Sequence, residues 1–185
     1  MLQRYRLLKL SRKTDLSNQR RTYSLNSTKN KTDSAMDIVY FEDIELDINR
    51  DLGSYQVCKK EVIDFATVWD PQPFHIDENA AKDSIYGGLT GSSIHMMAVL
   101  SKVISQNPVH YAVLANLSTQ FDMPNPMRVD DTLFFSSQAY EKRLSKTRPG
   151  IGIVSFKTVV INQDNKTVLN TLTTTMVSCR PGDTH

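Results

Sequence analysis

Asp70 and His75 are the residues whose types and spacing best suit chemistry: a carboxylate and an imidazole five positions apart in Trp69-Asp70-Pro71-Gln72-Pro73-Phe74-His75-Ile76-Asp77. Pro71 and Pro73 each fix their own φ and bias the preceding residue toward extended backbone, so few shapes are open to this segment. The pair cannot share one face of a helix, and the pattern predicts a hairpin-like loop that brings the two side chains together. A carboxylate and an imidazole within reach of one water, or of one substrate proton, form a general acid–base pair. Taken singly, Asp70 equally suits a loop cap and His75 a satisfied, partly buried histidine.

A second chemical element follows closely. Gly87-Gly88-Leu89-Thr90-Gly91-Ser92-Ser93 is a small-residue turn ahead of a long apolar stretch. A helix starting there offers free N–H groups and a dipole that favours negative charge. Ser92 and Ser93 are good N-cap types, so they fit a helix start and an oxyanion site alike. The two roles are compatible, because a side chain can cap while a backbone N–H binds substrate. A carboxylate and an imidazole sharing one water titrate as a pair, so acid and base are not assigned between them.

The elements that must hold these groups follow from periodicity. Tyr55–Lys60 reads as a first strand, Glu61–Trp69 as a short helix, and Asp77–Asp83 as a second one with Asp77 as N-cap. From Ser92 to Ser105 one stripe carries Ile94, Met97, Ala98 and Ile104, and another Met96, Val99, Leu100 and Val103. A helix apolar nearly all round is expected to be buried. Strands then follow in series: an alternating, half-buried one from Tyr111 to Asp122, then Thr132–Arg143, Ile151–Asn162 and Thr167–Arg180, with turns at Pro149-Gly150 and Gln163–Lys166. Helices ahead of an antiparallel meander argue for an α+β fold without a second folded domain or internal repeat.

Asp70-x-Gln72-Pro73-x-His75-x-Asp77, with Ala80, Ala81 and Gly87-Gly88 behind it, resembles the hydratase motif of MaoC-like dehydratases, the (R)-specific enoyl-CoA hydratases of the hot-dog fold. The similarity runs from about Tyr40 to Arg180 and is most specific between Asp70 and His75. It implies an antiparallel sheet wrapped around one long central helix. It also implies that Asp70 and His75 hold the water that adds across a double bond. The N–H that polarises the thioester carbonyl falls on Ser93, where the family usually has glycine. Ser92 and Gly88 join it as oxyanion and substrate-binding candidates, and a family serine beside the acyl pocket falls on Ser101. This chain has Gln72 where many members have asparagine, Ser92-Ser93-Ile94 in place of His-Gly-Met, and Arg128-Val129-Asp130-Asp131 at a turn that usually reads Arg-x-Gly-Asp.

The activity so implied is hydration of a 2-enoyl thioester, or the reverse dehydration of a 3-hydroxyacyl thioester, carried on CoA or on an acyl carrier protein, with water as the only co-reactant and no cofactor. Negative charge would build on the thioester oxygen while water attacks the β-carbon, which calls for donors at that oxygen and a base beside the water. Met96, Met97 and Ile104 are candidates for the acyl pocket, and Arg143, Lys146 and Arg148 for the CoA phosphates; solvated loop charges are the other reading of those three. The resemblance further implies a homodimer. Alternatives are a hot-dog acyl-CoA thioesterase, which needs no Asp/His pair, and a non-catalytic acyl-thioester-binding subunit.

Composition fits one sizeable core: 185 residues with 39% hydrophobic content, and no apolar run near the ~20 residues of a membrane span. A formal charge of +2 gives no reason to expect a nucleic-acid partner. Cys58 and Cys179, expected in strands, lack metal-ligand spacing and read as reduced thiols of an intracellular protein; a disulfide between them is the minor alternative. His95 and His110 have no companion at ligand spacing, so no metal site is expected. Residues 1–35 are basic, with Arg4, Arg6, Lys9, Arg12, Lys13, Arg20, Arg21, Lys29 and Lys31 against Asp15 and Asp33. They are expected to be a disordered extension to a 36–185 domain, with Met36 an alternative start. The expected compartment is the cytoplasm, or the mitochondrial matrix if 1–35 is a transit peptide.

Overall fold

The computed structural model describes residues 37–182. The expectations for the basic extension and for Met36 lie outside the described residues. Two sheets, four α-helices and a short 3-10 helix (Phe41–Asp43) make up the regular structure of the described part. The larger sheet is five-stranded and antiparallel, in the order β2 (Arg50–Gln56), β5 (Thr132–Leu144), β6 (Ile151–Ile161), β7 (Thr167–Ser178), β4 (Val113–Asp122). A separate two-stranded parallel pair joins β1 (Asp37–Val39) to β3 (Val109–Tyr111), so the expected Tyr111–Asp122 strand is divided between two sheets. The first strand of the large sheet ends at Gln56, four positions before the expected Lys60. Val57 leaves it to bond with Asp131 O and Asp130 N, and α1 (Lys59–Trp69) begins directly after.

The long central helix is α4, Ser93–Gln106, close to the expected Ser92–Ser105. Its Met96, Val99, Leu100 and Val103 are buried against Val57, Val62, Leu133, Phe135, Val160, Val168 and Leu169, which form the main core between helices and sheet. This is the α+β hot-dog architecture, a sheet curled around one helix. The second apolar stripe of α4 is not buried in the protomer: Ile94 and Ile104 are about half exposed. Periodicity identified both stripes as apolar, but one sheet covers one side of a helix. A smaller cluster around Phe41, Ile44, Val154, Phe156 and Val177 seals the other end of the sheet.

The strands differ sharply in surroundings. Central β6 has Val154, Phe156 and Val160 buried, whereas β4 is an edge strand whose Leu114, Leu117 and Phe121 are more than half exposed. The expected half-buried alternation of β4 therefore does not hold within one protomer. Cys58 is the exposed N-cap residue of α1 and Cys179 a buried residue just beyond β7; neither is in a disulfide, and neither lies in a strand.

Candidate functional site

The proline-stiffened segment forms a turn of helix where a loop was expected. Asp70 is the C-cap of α1, and Pro71 prevents that helix from continuing. Gln72 is extended, as a residue before proline must be, and Pro73 then opens the one-turn helix α2 (Pro73–Ile76) at the position where a missing N–H costs nothing. Asp77 ends that turn and caps α3 (Glu78–Lys82), its Oδ1 accepting from the N–H groups of Asn79 and Ala80 at 2.8 Å each. Two tight turns, each fixed at one end by a proline or an aspartate, hold His75 back toward Asp70.

Asp70 Oδ2 and His75 Nε2 stand 3.8 Å apart, with the His75 side chain almost wholly buried and that of Asp70 one-fifth exposed. That separation is too long for a direct hydrogen bond. It suits two groups that both reach one water standing off their common edge. Each partner is held from behind. Gln72 Nε2 donates to Asp70 Oδ1 at 2.9 Å, leaving Oδ2 facing the imidazole. His75 Nδ1 lies 2.6 Å from the backbone carbonyl of Thr90. A carbonyl only accepts, so Nδ1 carries the hydrogen and neutral His75 presents the Nε2 lone pair to the cavity. Thr90 itself is 1% exposed, so this anchor sits within the fold.

The same cavity reaches the start of α4. Ser92 is the N-cap, its Oγ accepting from the His95 N–H at 3.2 Å, and the Met96 N–H bonds Ser92 O at 3.0 Å. The N–H groups of Ser93 and Ile94 remain at the open end, where the helix dipole favours negative charge. The cavity encloses about 410 Å³. Its polar wall carries Asp70, Gln72, His75, Thr90 and Ser93, and its apolar wall Met96, Met123, Met127 and Val168.

Of the six sequence-derived candidates, Asp70, His75 and Ser93 meet in this cavity. Ser92 is buried directly behind it with its hydroxyl committed to capping. Gly88 lies outside the lining, in the approach to α4 beside Arg128. Ser101 is not brought to the site: it is exposed two turns along α4, because the helix turns it away from the face that Met96 presents inward. Of the acyl-pocket candidates only Met96 lines the cavity. Met97 packs partly buried against the core, and Ile104 is exposed. Arg143, Lys146 and Arg148 sit at or beyond the far end of β5, a strand of 13 residues spanning roughly 40 Å. Within one protomer that is the end opposite to Thr132 and the 123–131 loop.

The sequence reading missed the Thr90 carbonyl and the wall formed by Met123, Asn125 and Met127. The 123–131 loop is stitched to the α4 approach by Gly91 N–H donating to Met127 O at 2.8 Å, by a Thr90–Arg128 bridge, and by Arg128 Nη2 donating to Tyr86 O at 2.7 Å. The first two are backbone meetings of distant segments, and no residue type announces them. Asp130, at the turn where glycine is usual in the family, takes φ 68°, so aspartate occupies the left-handed conformation in glycine's place. Asp131 stabilises that turn, accepting from Arg128 N–H at 3.0 Å and Gln163 Nε2 at 2.8 Å.

The fold is the hot-dog fold of the dehydratases. Residues 48–171 match the family model described as FAS1-like, dehydratase domain region, and the chain belongs to this family of MaoC-like dehydratases. It is similar to the MaoC-like dehydratase of Rhodospirillum rubrum, with 29% identity and a TM-score of 0.72 over 77% of this chain and 99% of that one. The unliganded R-hydratase PhaJ1 of Pseudomonas aeruginosa shares the fold at 19% identity and a TM-score of 0.63, over 76% of this chain and 86% of that one. An uncharacterized Bacillus subtilis protein, YdeM, is 27% identical over 107 residues, 57% of this chain and 76% of its own length. Among the described residues no helix is long and apolar enough to cross a membrane, and no cluster of His, Cys, Asp or Glu could hold a metal ion.

Proposed function

We propose that this chain is a hydro-lyase that adds water to a 2-enoyl thioester, or removes it from a 3-hydroxyacyl thioester, with Asp70 and His75 holding the water. The observation that carries this reading is the convergence of Asp70 Oδ2 and His75 Nε2 in a cavity that also contains the open N-terminus of α4. The thioester oxygen would face the Ser93 N–H, where charge developing during attack on the β-carbon meets a fixed donor and the helix dipole. The pair takes a proton from water and returns one to the α-carbon; dehydration exchanges those roles. Water is the only co-reactant the scheme requires. Ser92, through its cap, keeps the first turn of α4 in place behind the donor.

The reading extends to a homodimer. Edge strand β4 offers unpaired backbone groups along ten residues, with Val113, Leu114, Leu117 and Phe121 exposed, and the outer stripe of α4 exposes Ile94 and Ile104. Such an edge is a template for pairing with another strand. A second copy supplies a matching one.

The test follows the absorbance of crotonyl-CoA and longer 2-enoyl-CoA thioesters with the purified full chain while free thiol is assayed in the same samples. The expected result is loss of the enoyl band without release of CoA. Release of CoA in step with the absorbance change would assign a thioesterase. Neither signal at any chain length would favour a binding subunit.

A further inference from the structure

The apolar wall contains one contact whose chemistry is steric. Gly91, the residue before the α4 cap, does not have the positive φ that would require glycine. What it lacks is room: a Cβ placed on it would stand 2.0 Å from Met127 Cε and 3.5 Å from Met127 Sδ. The end of the Met127 side chain therefore fills the space of the side chain that Gly91 does not have. The two backbones are tied as well, through the Gly91 N–H bond to Met127 O, so Met127 cannot slide along its loop without breaking that bond. Around it the wall is closed by Met96 and Val168, each 1% exposed and each a member of the main core.

From this geometry we infer that Met127, seated over Gly91, sets the length of acyl chain the cavity accepts. The inference rests on the reading of the cavity as an acyl-thioester site. Met96 and Val168 are held by packing on all sides, so the apolar end cannot deepen at their positions without opening the core. Met127 is 2% exposed and belongs to the same core, but its terminal atoms lie over Gly91, which has no side chain to back them, so in this unbranched side chain with three rotatable bonds they are the adjustable part of the wall. While its methyl rests over Gly91 the cavity keeps its full depth. If that space is filled, the thioether must swing elsewhere, and the cavity lies beside it. If the side chain is shortened, a longer chain can enter over Gly91. The two residues thus act on one dimension of the substrate with opposite signs.

The experiment measures dissociation constants of butanoyl-CoA and octanoyl-CoA, which are saturated and cannot be hydrated, for the full wild-type chain and for Met127→Ala, Met127→Leu and Gly91→Ala. The octanoyl-to-butanoyl ratio should fall about tenfold in Met127→Ala, in keeping with discrimination of 10-fold or more per methylene in apolar pockets. It should fall by less in Met127→Leu, which nearly conserves volume. In Gly91→Ala it should rise. General loosening of the fold would weaken both ligands together and leave the ratio unchanged. Unmoved ratios in both Met127 variants, or shifts of the same sign in Met127→Ala and Gly91→Ala, would overturn the inference, as would a wild type that binds neither thioester. A protein that shows the ratio shifts but does not hydrate enoyl-CoA would overturn the hydro-lyase reading and leave the length gate standing.

Discussion

The two walls of the cavity are held by different forces. On the polar wall, directional bonds of 2.6 to 2.9 Å aim Asp70 and His75 from behind, through Gln72 and the Thr90 carbonyl. On the apolar wall, Met96, Met127 and Val168 are held by burial in the core, and the adjustable element is a thioether. Aimed groups lose function when one atom is exchanged, even if volume is kept. Packed groups respond to volume and tolerate a change of atom. The two kinds of group line one space and are held in different ways.

That contrast can be broken most forcefully at the pair itself. Asp70→Asn and His75→Ala should each lower kcat/KM by about 10³-fold, within the range typical of general acid–base groups, with the unfolding midpoint close to wild type in Asp70→Asn and lowered in His75→Ala, which empties a buried site and leaves the Thr90 carbonyl without its partner. Thermal melts beside the kinetics check that the loss is chemical. On the apolar wall Met96→Ala should do the reverse, costing roughly 2–5 kcal/mol of stability in denaturant unfolding through a core cavity, with a smaller effect on turnover of short chains.

Smaller effects sharpen the comparison. Gln72→Ala removes a bond to a carboxyl group that is partly exposed, and kcat/KM should fall about tenfold with stability nearly unchanged. His95 stacks face to face on Phe65 at 4.5 Å, and its Nδ1 has no partner among the described residues. Burial pushes its pKa below the usual histidine value; Glu61 opposes this and Lys102 adds to it. With the folded value lowered, the unfolded chain binds the proton first. Stability should therefore be complete above about pH 6.5 and fall as pH drops from there toward the folded value. Denaturant midpoints measured from pH 7.5 down to 5 in wild type and His95→Gln should show this decline weakened in the variant. The smallest change expected is a gain: Asp130→Gly should raise stability by about 0.5–1 kcal/mol, since glycine meets φ 68° without the Cβ penalty.

The pair and the central helix were legible in the sequence because both are local. The Pro-x-Pro spacing restricts Asp70 and His75 whatever surrounds them, and the apolar stretch after Ser92 is too long for anything but a helix. The architecture was reached through the family resemblance more than through strand limits. The strand expected to end at Lys60 stops at Gln56, because Val57 bonds to the distant Asp130–Asp131 turn. Met97 and Ile104 were expected near the acyl chain because apolarity along α4 was readable, and Ser101 because the family resemblance implied it, whereas the side that the sheet covers was not readable. β4 carries the same lesson: its alternation is real, but in the protomer side chains on both of its faces are exposed. The methionine wall depends on Gly91 meeting Met127 across a long stretch of sequence, and single-residue patterns do not encode such a meeting.

The central claim is that Asp70 and His75 act as one unit on one water. Hydration rates for Asp70→Asn, His75→Ala and the double variant, measured with crotonyl-CoA under identical conditions, test it directly. Groups that share a proton path are strongly non-additive, so the double variant should be slowed by about as much as the more damaged single variant. A double variant slowed by the product of the two single effects would show that the residues contribute independently, and would contradict the shared-water site.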